Sequence, residues 1–389
     1  MYKNIGIYGM ARTPVGSFGG SLKNLDAVDL GAIVISEAAK RSGFAPESID
    51  EAIMGCVGQH GLNIFLGRLA GQKAGLPESV TGQTVNRMCA SGLQAIVTGA
   101  DMISSGHASI VVAGGAESMS SLPHTVAGVR WGLRMGGAKL DDDLANVLIE
   151  PFTGTHVGVT AENIAQNYNF SRLDLDSYAL ESQNRALAAI DQGKFKKEIV
   201  AVQIVDKKQT LLFNTDECPR KISLEKLSKL NPVFLPDGLV TAASASCISD
   251  GAAALVIADT DKADQKPLAK LVDYAVSGLD PAYMGLGPIY ATKKLLKQTG
   301  LAISDIGLAE LNEAFASQAL ACIKDLGLSM DIVNVNGGGL SLGHPLGATG
   351  AIISIKLVNE MRRRSVRYGL VSLCIGGGQG MSALFEVLP

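Results

Sequence analysis

The sequence predicts an α/β protein made of two copies of one unit, with a polar segment inserted after the first. Three observations carry this. The chain repeats itself: SGFAPESIDEAIMG (42–55) and TGLAISDIGLAELN (299–312) pair Gly43 with Gly300, Ala45 with Ala302, Ile49 with Ile306 and Ala52 with Ala309. GGAESMS (114–120) matches GGGQGMS (376–382) at the leading glycines and the closing Met-Ser, and VNRMCASGLQAI (85–96) parallels the run that opens VNVNGGG at 333. Ordered self-similarity of this kind marks duplicated structural units. Second, helical and strand periodicities alternate within each copy. Third, the 389 residues are 47% hydrophobic and 18% charged, with 45 glycines in discrete clusters, which suits an ordered, well-buried α/β protein with many tight turns.

Each element has a local reason. MYKNIGIYGM reads as a first strand with no targeting segment ahead of it. DAVDLGAIVISEAAKRSG is an amphipathic helix ending at glycine. After Cys89, ASGLQAIVTGADMISSG turns helical, and ASIVVAGGA reads as a buried strand ending in a glycine turn. Residues 119–248 have no counterpart in the second copy; they are polar, with helices at TAENIAQNYN and RLDLDSYALESQNRALAAIDQG. DGAAALVIAD (250–259) supplies another strand to the first copy, PIYATKKLLKQTG reads as a helix, and YGLVSLCIGGG as a strand ending in a glycine turn. The expected division is 1–118 plus 249–268, an insertion over 119–248 that walls a pocket, and 269–389.

Composition excludes several function classes. A net charge of −3 gives no electrostatic reason to expect nucleic acid. The six cysteines are scattered without a CxxC pair, so neither a metal site nor a disulfide framework is expected. Apolar runs fall far short of the ~20 residues of a membrane helix. A cytoplasmic setting is the expectation.

Four residues stand out chemically. Cys89 precedes a helix, whose unpaired N–H groups are expected to favour thiolate; a lone cysteine is otherwise ordinary core. His344, in NGGGLSLGHPLGATG, occupies the equivalent strand-to-helix turn of the second copy, and a pseudo-twofold relation would set the two turns face to face. A helix N-terminus there is expected to keep the imidazole neutral and able to accept a proton; a tight surface loop is the bland alternative. Cys374 ends a strand before GGGQG, where close-packed backbone could form an oxyanion hole. Asn312 is expected to head a helix, an ordinary N-cap position. His60, His107 and His124 lack such settings.

Taken together, VNRMCASGLQA, GGAESMS, NEAFASQA, NGGGLSLGHPLGATG and CIGGGQG resemble the thiolase family, and the likeness is collinear from RTPVGSFGG (12–20) to the end of the chain. The resemblance implies a five-layered α-β-α-β-α fold with pseudo-twofold-related halves and an inserted loop domain. It also implies a reaction: two acetyl-CoA to acetoacetyl-CoA plus CoA, or thiolysis of another 3-oxoacyl-CoA. CoA thioesters are then substrates, and no cofactor or metal is expected. The family's roles place acylation on Cys89, its activation on His344 and α-proton transfer on Cys374. Asn312 would hold an oxyanion-hole water, with a second oxyanion hole from the amides of Cys89 and Gly376. CoA would lie near Arg220, with Phe234, Ala242, Ala245 and Ser246 along the pantetheine and His156, Met284 and Phe315 at the acyl end. A homo-oligomer, dimer or tetramer, is implied, with RWGLRMGGAKLDDD (130–143) a candidate contact loop.

The sequence departs from the family's usual TAGNASGxNDGAAA at Ala243, Ser244, Cys247 and Ser249. Val157 replaces a methionine common in short-chain members, and NIFLGR (63–68) replaces an NPAR-like turn. These changes bear on chain length, so a broader-chain degradative thiolase is the alternative. A decarboxylating ketoacyl synthase needs no cysteine at 374, a non-catalytic acyl-CoA or lipid carrier would lack the nucleophile or the GHP histidine, and a cysteine hydrolase would release free acid.

Overall fold

The computed structural model describes residues 1–206 and 209–388; Lys207 and Lys208 of the expected insertion, and Pro389 of the second copy, lie outside the described residues. The first wing of the sheet holds β1 (Ile5–Arg12), β2 (Glu51–Gly55), β3 (Thr81–Val85), β4 (Ile110–Ser118) and β5 (Ser249–Asp259). The second holds β6 (Ala269–Gly278), β7 (Leu308–Leu311), β8 (Tyr368–Ile375) and β9 (Gln379–Glu386). The strand order is β3-β2-β4-β5-β1-β6-β9-β8-β7. The wings join through β1 and β6, where Gly6 pairs with Lys270 and Ile7 with Ala269.

The repeat in sequence is a repeat in pairing. β2 runs parallel to β4, which runs antiparallel to β5, which runs antiparallel to β1. β7 runs parallel to β8, which runs antiparallel to β9, which runs antiparallel to β6. Ala309 even bridges Val333 in parallel where β3 flanks β2 in the first wing.

Helices complete the layers. α1 (Ala27–Ser42) and α2 (Leu66–Lys73) cover the outer face of the first wing. Asp26 caps α1 by accepting from the Asp29 amide, and Gly43 closes it in the left-handed conformation. α3 (Ser91–Ser104) lies inside, α4 (Val157–Asn167) and α5 (Arg172–Asp191) fall within residues 119–248, α6 (Gly287–Thr299) covers the second wing, and α7 (Ala316–Leu326) packs against α4, α5 and α6. α8 (Leu346–Arg364) packs against α3 and touches strands of both wings. It is buried without interruption from Leu346 to Val358, as a central helix must be. The result is five layers, α-β-α-β-α.

The two central helices meet backbone to backbone. A Cβ at Gly350 would stand 2.4 Å from the Leu93 amide nitrogen, so only glycine allows α8 to cross α3 this closely. The same approach corrects the reading of ASIVVAGGA. The glycines do not turn the chain; β4 continues through them to Ser118. A Cβ at Gly115 would lie 2.0 Å from the Gly347 carbonyl oxygen, so the strand is bare there to admit the start of α8.

Residues of the 119–248 segment are fastened to the first wing by charge. Arg12, fully buried at the end of β1, donates to Glu198 at 2.8 Å and to both oxygens of Asp216 at 2.7 and 3.0 Å. Removing one member of such a network leaves uncompensated buried charge, which typically costs ~3–5 kcal/mol. Arg12→Ala is expected to lose about that much stability, read as a lower midpoint in urea denaturation, with acyl transfer impaired because residues 216–220 lose their anchor.

Candidate active site

The turn before α3 is a strained one. Met88 takes a left-handed φ of +45°, uncommon for a side-chain-bearing residue and a feature that concentrates at functional sites. The turn is held by Asn86 Oδ1 accepting from the Met88 amide at 2.9 Å and Ser91 Oγ accepting from the Arg87 amide at 2.8 Å. Cys89 therefore precedes the helix, as the sequence implied, and lines a cavity of about 500 Å³, within the size range of small-molecule sites. Its electrostatics differ from expectation. Burial pushes the thiol up to about 11, against the pull of the Gly376 amide and its own amide. The helix end does not make a resting thiolate; the sulfur keeps its proton.

His344 faces the same cavity from the start of α8. Burial lowers its imidazole to about 4, so it is neutral as expected, with desolvation the cause. Its tautomer follows from its partners. The Thr349 hydroxyl donates to the Pro345 carbonyl at 3.0 Å and lies 2.6 Å from His344 Nδ1, so Nδ1 carries the hydrogen. Nε2 is left as the acceptor, 3.3 Å from Asn312 Nδ2. The His344 amide donates to Ser249 Oγ at 2.8 Å and to the Cys247 carbonyl at 3.2 Å. Nε2 thus carries a lone pair and no hydrogen, so it can accept a proton.

Asn312 does not head a helix. It sits in the link between β7 and α7, whose cap position is Phe315, and the Asn312 amide donates to the Ser372 carbonyl. Its side chain is buried, and Oδ1 has no protein partner. An orphaned buried acceptor beside a neutral base is an opening for water or substrate. Cys374, at the end of β8, is fully buried behind the cavity and close enough to Cys89 that charge on one disfavours charge on the other. Burial holds its thiol well above the usual range. Gly376 lines the cavity, and the Gly376 and Cys89 amides converge on the Cys89 sulfur. Next to it, Glu150 of the insertion accepts from the Gly377 amide at 2.8 Å and steadies this loop.

The remaining residues form a channel. His156, Phe234, Ala242, Ala245, Ser246, Met284 and Phe315 all line the cavity, as does Val157. The His156 ring stacks on Phe234 at 4.7 Å, and Phe234 meets Phe315 edge-on at 5.9 Å. His156 also caps α4, with Nδ1 accepting from the Gly158 amide. The 244–246 wall is zipped to the NEAF loop by Ala316 N to Ser244 O and Ser246 N to Ala314 O, both 2.9 Å. Arg220 is outside the lining, exposed, with its charge felt at Cys247. Sequence reasoning missed Thr349, Glu150 and the walls Phe18, Val147 and Leu148. Thr349 had a signal, since it lies in the first turn of the helix that His344 leads into; the others sit in segments with no pattern.

Two outcomes follow from this geometry. Thr349→Val is expected to lower kcat roughly tenfold, about the worth of one buried hydrogen bond, with KM nearly unchanged, in steady-state thiolysis assays. The acid limb of kcat/KM is expected to stay level through pH 6.5 and fall only toward about 4, where His344 takes up a proton. Stability should also decline over that window, because the unfolded chain binds a proton that the folded site refuses.

Comparison with known proteins agrees with the geometry. Residues 5–261 match the thiolase N-terminal domain and residues 265–387 the thiolase C-terminal domain. The acetyl-CoA acetyltransferase of Syntrophomonas wolfei is 46% identical over 396 residues, covering 100% of both chains. The crystal structure of the Bacillus anthracis acetyl-CoA acetyltransferase superposes with a TM-score of 0.97 at 43% identity, covering 99% of each chain. That of human mitochondrial 3-ketoacyl-CoA thiolase in complex with CoA gives 0.96 at 42% identity, covering 100% of this chain and 98% of that one. By sequence and by fold, the chain belongs to the thiolase family.

Proposed function

We propose that this thiolase is an acetyl-CoA C-acyltransferase, joining two acetyl-CoA into acetoacetyl-CoA plus CoA and running the reverse thiolysis. The observation that carries the proposal is a thiol, Cys89, and a neutral imidazole, His344, lining one apolar cavity, with a second thiol, Cys374, buried close enough behind it to feel charge at Cys89. His344 Nε2 takes the Cys89 proton as the sulfur attacks the thioester carbonyl. The proton passes to the departing CoA sulfur, leaving acetyl-Cys89. Charge on the carbonyl oxygen is met by the amides of Cys89 and Gly376, and removing one such donor typically costs ~10²–10³ in rate. Asn312, through a water that it holds, serves the second acyl group, whose enolate also places charge on oxygen. Cys374 carries the α-proton. Its buried, protonated state suits thiolysis, where it donates that proton to the leaving carbon. An enzyme thioester is close in energy to a CoA thioester, so transfer runs both ways.

The roles of Arg220 at the nucleotide and of Phe234, Ala242, Ala245 and Ser246 along the pantetheine belong to this proposal, as does the division of the chain into 1–118 plus 249–268, 119–248 and 269–389. So do a cytoplasmic setting and a dimeric or tetrameric assembly. No helix among the described residues is long and apolar enough to cross a membrane. Trp131, Leu133 and Met135 stand exposed on the 130–143 loop, the kind of apolar patch that a partner covers. Val157 on the cavity wall favours a second reading, in which longer 3-oxoacyl chains are also accepted.

The deciding experiment is thiolysis across 3-oxoacyl-CoA chain lengths. A steep preference for acetoacetyl-CoA over 3-oxohexanoyl-CoA supports the acetyl enzyme; equal specificity constants support the broader one. Cys89→Ala is expected to abolish acylation altogether. Cys374→Ala should still release a burst of CoA on acylating Cys89, yet form no acetoacetyl-CoA.

A further inference from the structure

A second cavity, of about 550 Å³, opens where α5 and α8 end, and the proposed reaction does not use it. Lys194, Lys197, Arg362 and Arg363 line it, together with Gln192 and Asn359. No carboxylate among the described residues lines it, and Asp191, the exposed last residue of α5, stays outside the lining. Four cations thus surround one hollow on a chain whose net charge is −3. Like charges held this way repel one another unless an anion joins them.

The neighbouring carboxylates are already engaged. Glu360, buried beneath the end of α8, accepts from Arg363, from Arg364 at 2.6 Å and from Asn336 Nδ2 at 2.8 Å. Glu198 is held by Arg12 at 2.8 Å and by Asn359 Nδ2 at 3.1 Å. Arg363 also donates to the Lys194 carbonyl at 3.0 Å, and Lys194 Nζ to Asn336 Oδ1 at 3.0 Å, which latches the 193–197 turn to α8 and fixes the walls. Lys197 and Arg362 differ. Both are exposed, and neither side chain has a hydrogen bond or ion pair among the described residues. Burial, with Arg364 and Arg363 adding to it, disfavours the charge on Lys194, as crowded cations without a counter-ion should.

We propose that this hollow binds a small molecule carrying linked phosphates, of the nucleoside polyphosphate or inorganic pyrophosphate kind. Its volume lies within the range of small-molecule sites and leaves room for more than one phosphate group. Two unpaired cations are balanced by at least two negative charges on the ligand. A guanidinium fork matches phosphate oxygens in pairs, and an ammonium meets them as a point charge. The site is separate from the substrate channel. His344 precedes α8, whereas Arg362 and Arg363 occupy its last turn, and 19 residues of helix span ~28 Å.

The test titrates the full-length enzyme with inorganic pyrophosphate, and separately with ADP, by isothermal titration calorimetry at low salt. Saturable pyrophosphate binding is expected. It should weaken about tenfold or more in the Lys197→Ala/Arg362→Ala double variant, which loses two charge-assisted contacts, and severalfold on raising the salt. Both residues are exposed and outside the channel, so the double variant should keep the parent's thiolysis rate. Tighter binding of ADP assigns the site to a nucleotide; equal or weaker binding assigns it to the phosphates alone. No saturation by about 1 mM would overturn the proposal, as would undiminished binding in the double variant. Loss of binding in Arg220→Ala would overturn it too, by placing the anion at the substrate's own nucleotide site. Binding is measured directly, so the result does not depend on which acyl-CoA the enzyme uses.

Discussion

The crossing of α3 and α8 is the constraint on which the site depends. Each helix begins at a turn carrying a reactive side chain, Cys89 on one and His344 on the other. The turns can share a cavity only because the helices touch through backbone at Gly350, and because β4 is bare at Gly115 where α8 arrives. Close-packed interiors tolerate no added methyl at such a contact without moving their neighbours. The positions of both side chains are therefore held by the core of the fold.

The same burial that fixes the positions decides the protonation states. A helix N-terminus is worth ~0.3–1 kcal/mol to a nearby anion, and taking a thiolate out of water costs more than that. Desolvation prevails at Cys89, which stays a thiol, and at His344, which stays neutral. The pair stores no charge at rest. In the proposed reaction the Cys89 proton passes to His344 Nε2 as the sulfur attacks a thioester carbonyl, with the Cys89 and Gly376 amides already beside the sulfur. Thr349 makes this possible by occupying Nδ1, so that the lone pair of the ring points to Nε2.

The insertion contributes walls and struts. Glu150 reaches across to the Gly377 amide, and Arg12 ties Glu198 and Asp216 to the end of β1. On the channel wall, the Cys247 carbonyl accepts from the amide of His344.

The duplication was legible in the linear chain because both copies answer the same packing demands: glycine where a helix stops, small residues where a strand yields to a helix, and a glycine-flanked end to the strand beside the site. Cys89 and His344 could be located by that symmetry, each at the same turn of its copy. Three features were not legible. Asn312 looked like a cap, since asparagine serves that role often, and only the packed chain shows that α7 starts after it. The glycines of β4 looked like a turn, because a close approach by α8 leaves the same mark as a bend. The direction of the Cys89 shift could not be read, because local sequence shows the helix end beside a thiol but not the apolar mass around it. Sequence pointed to the candidate residues and to their setting in two related halves; tertiary structure decided how deeply they are buried, and hence which of them hold their protons.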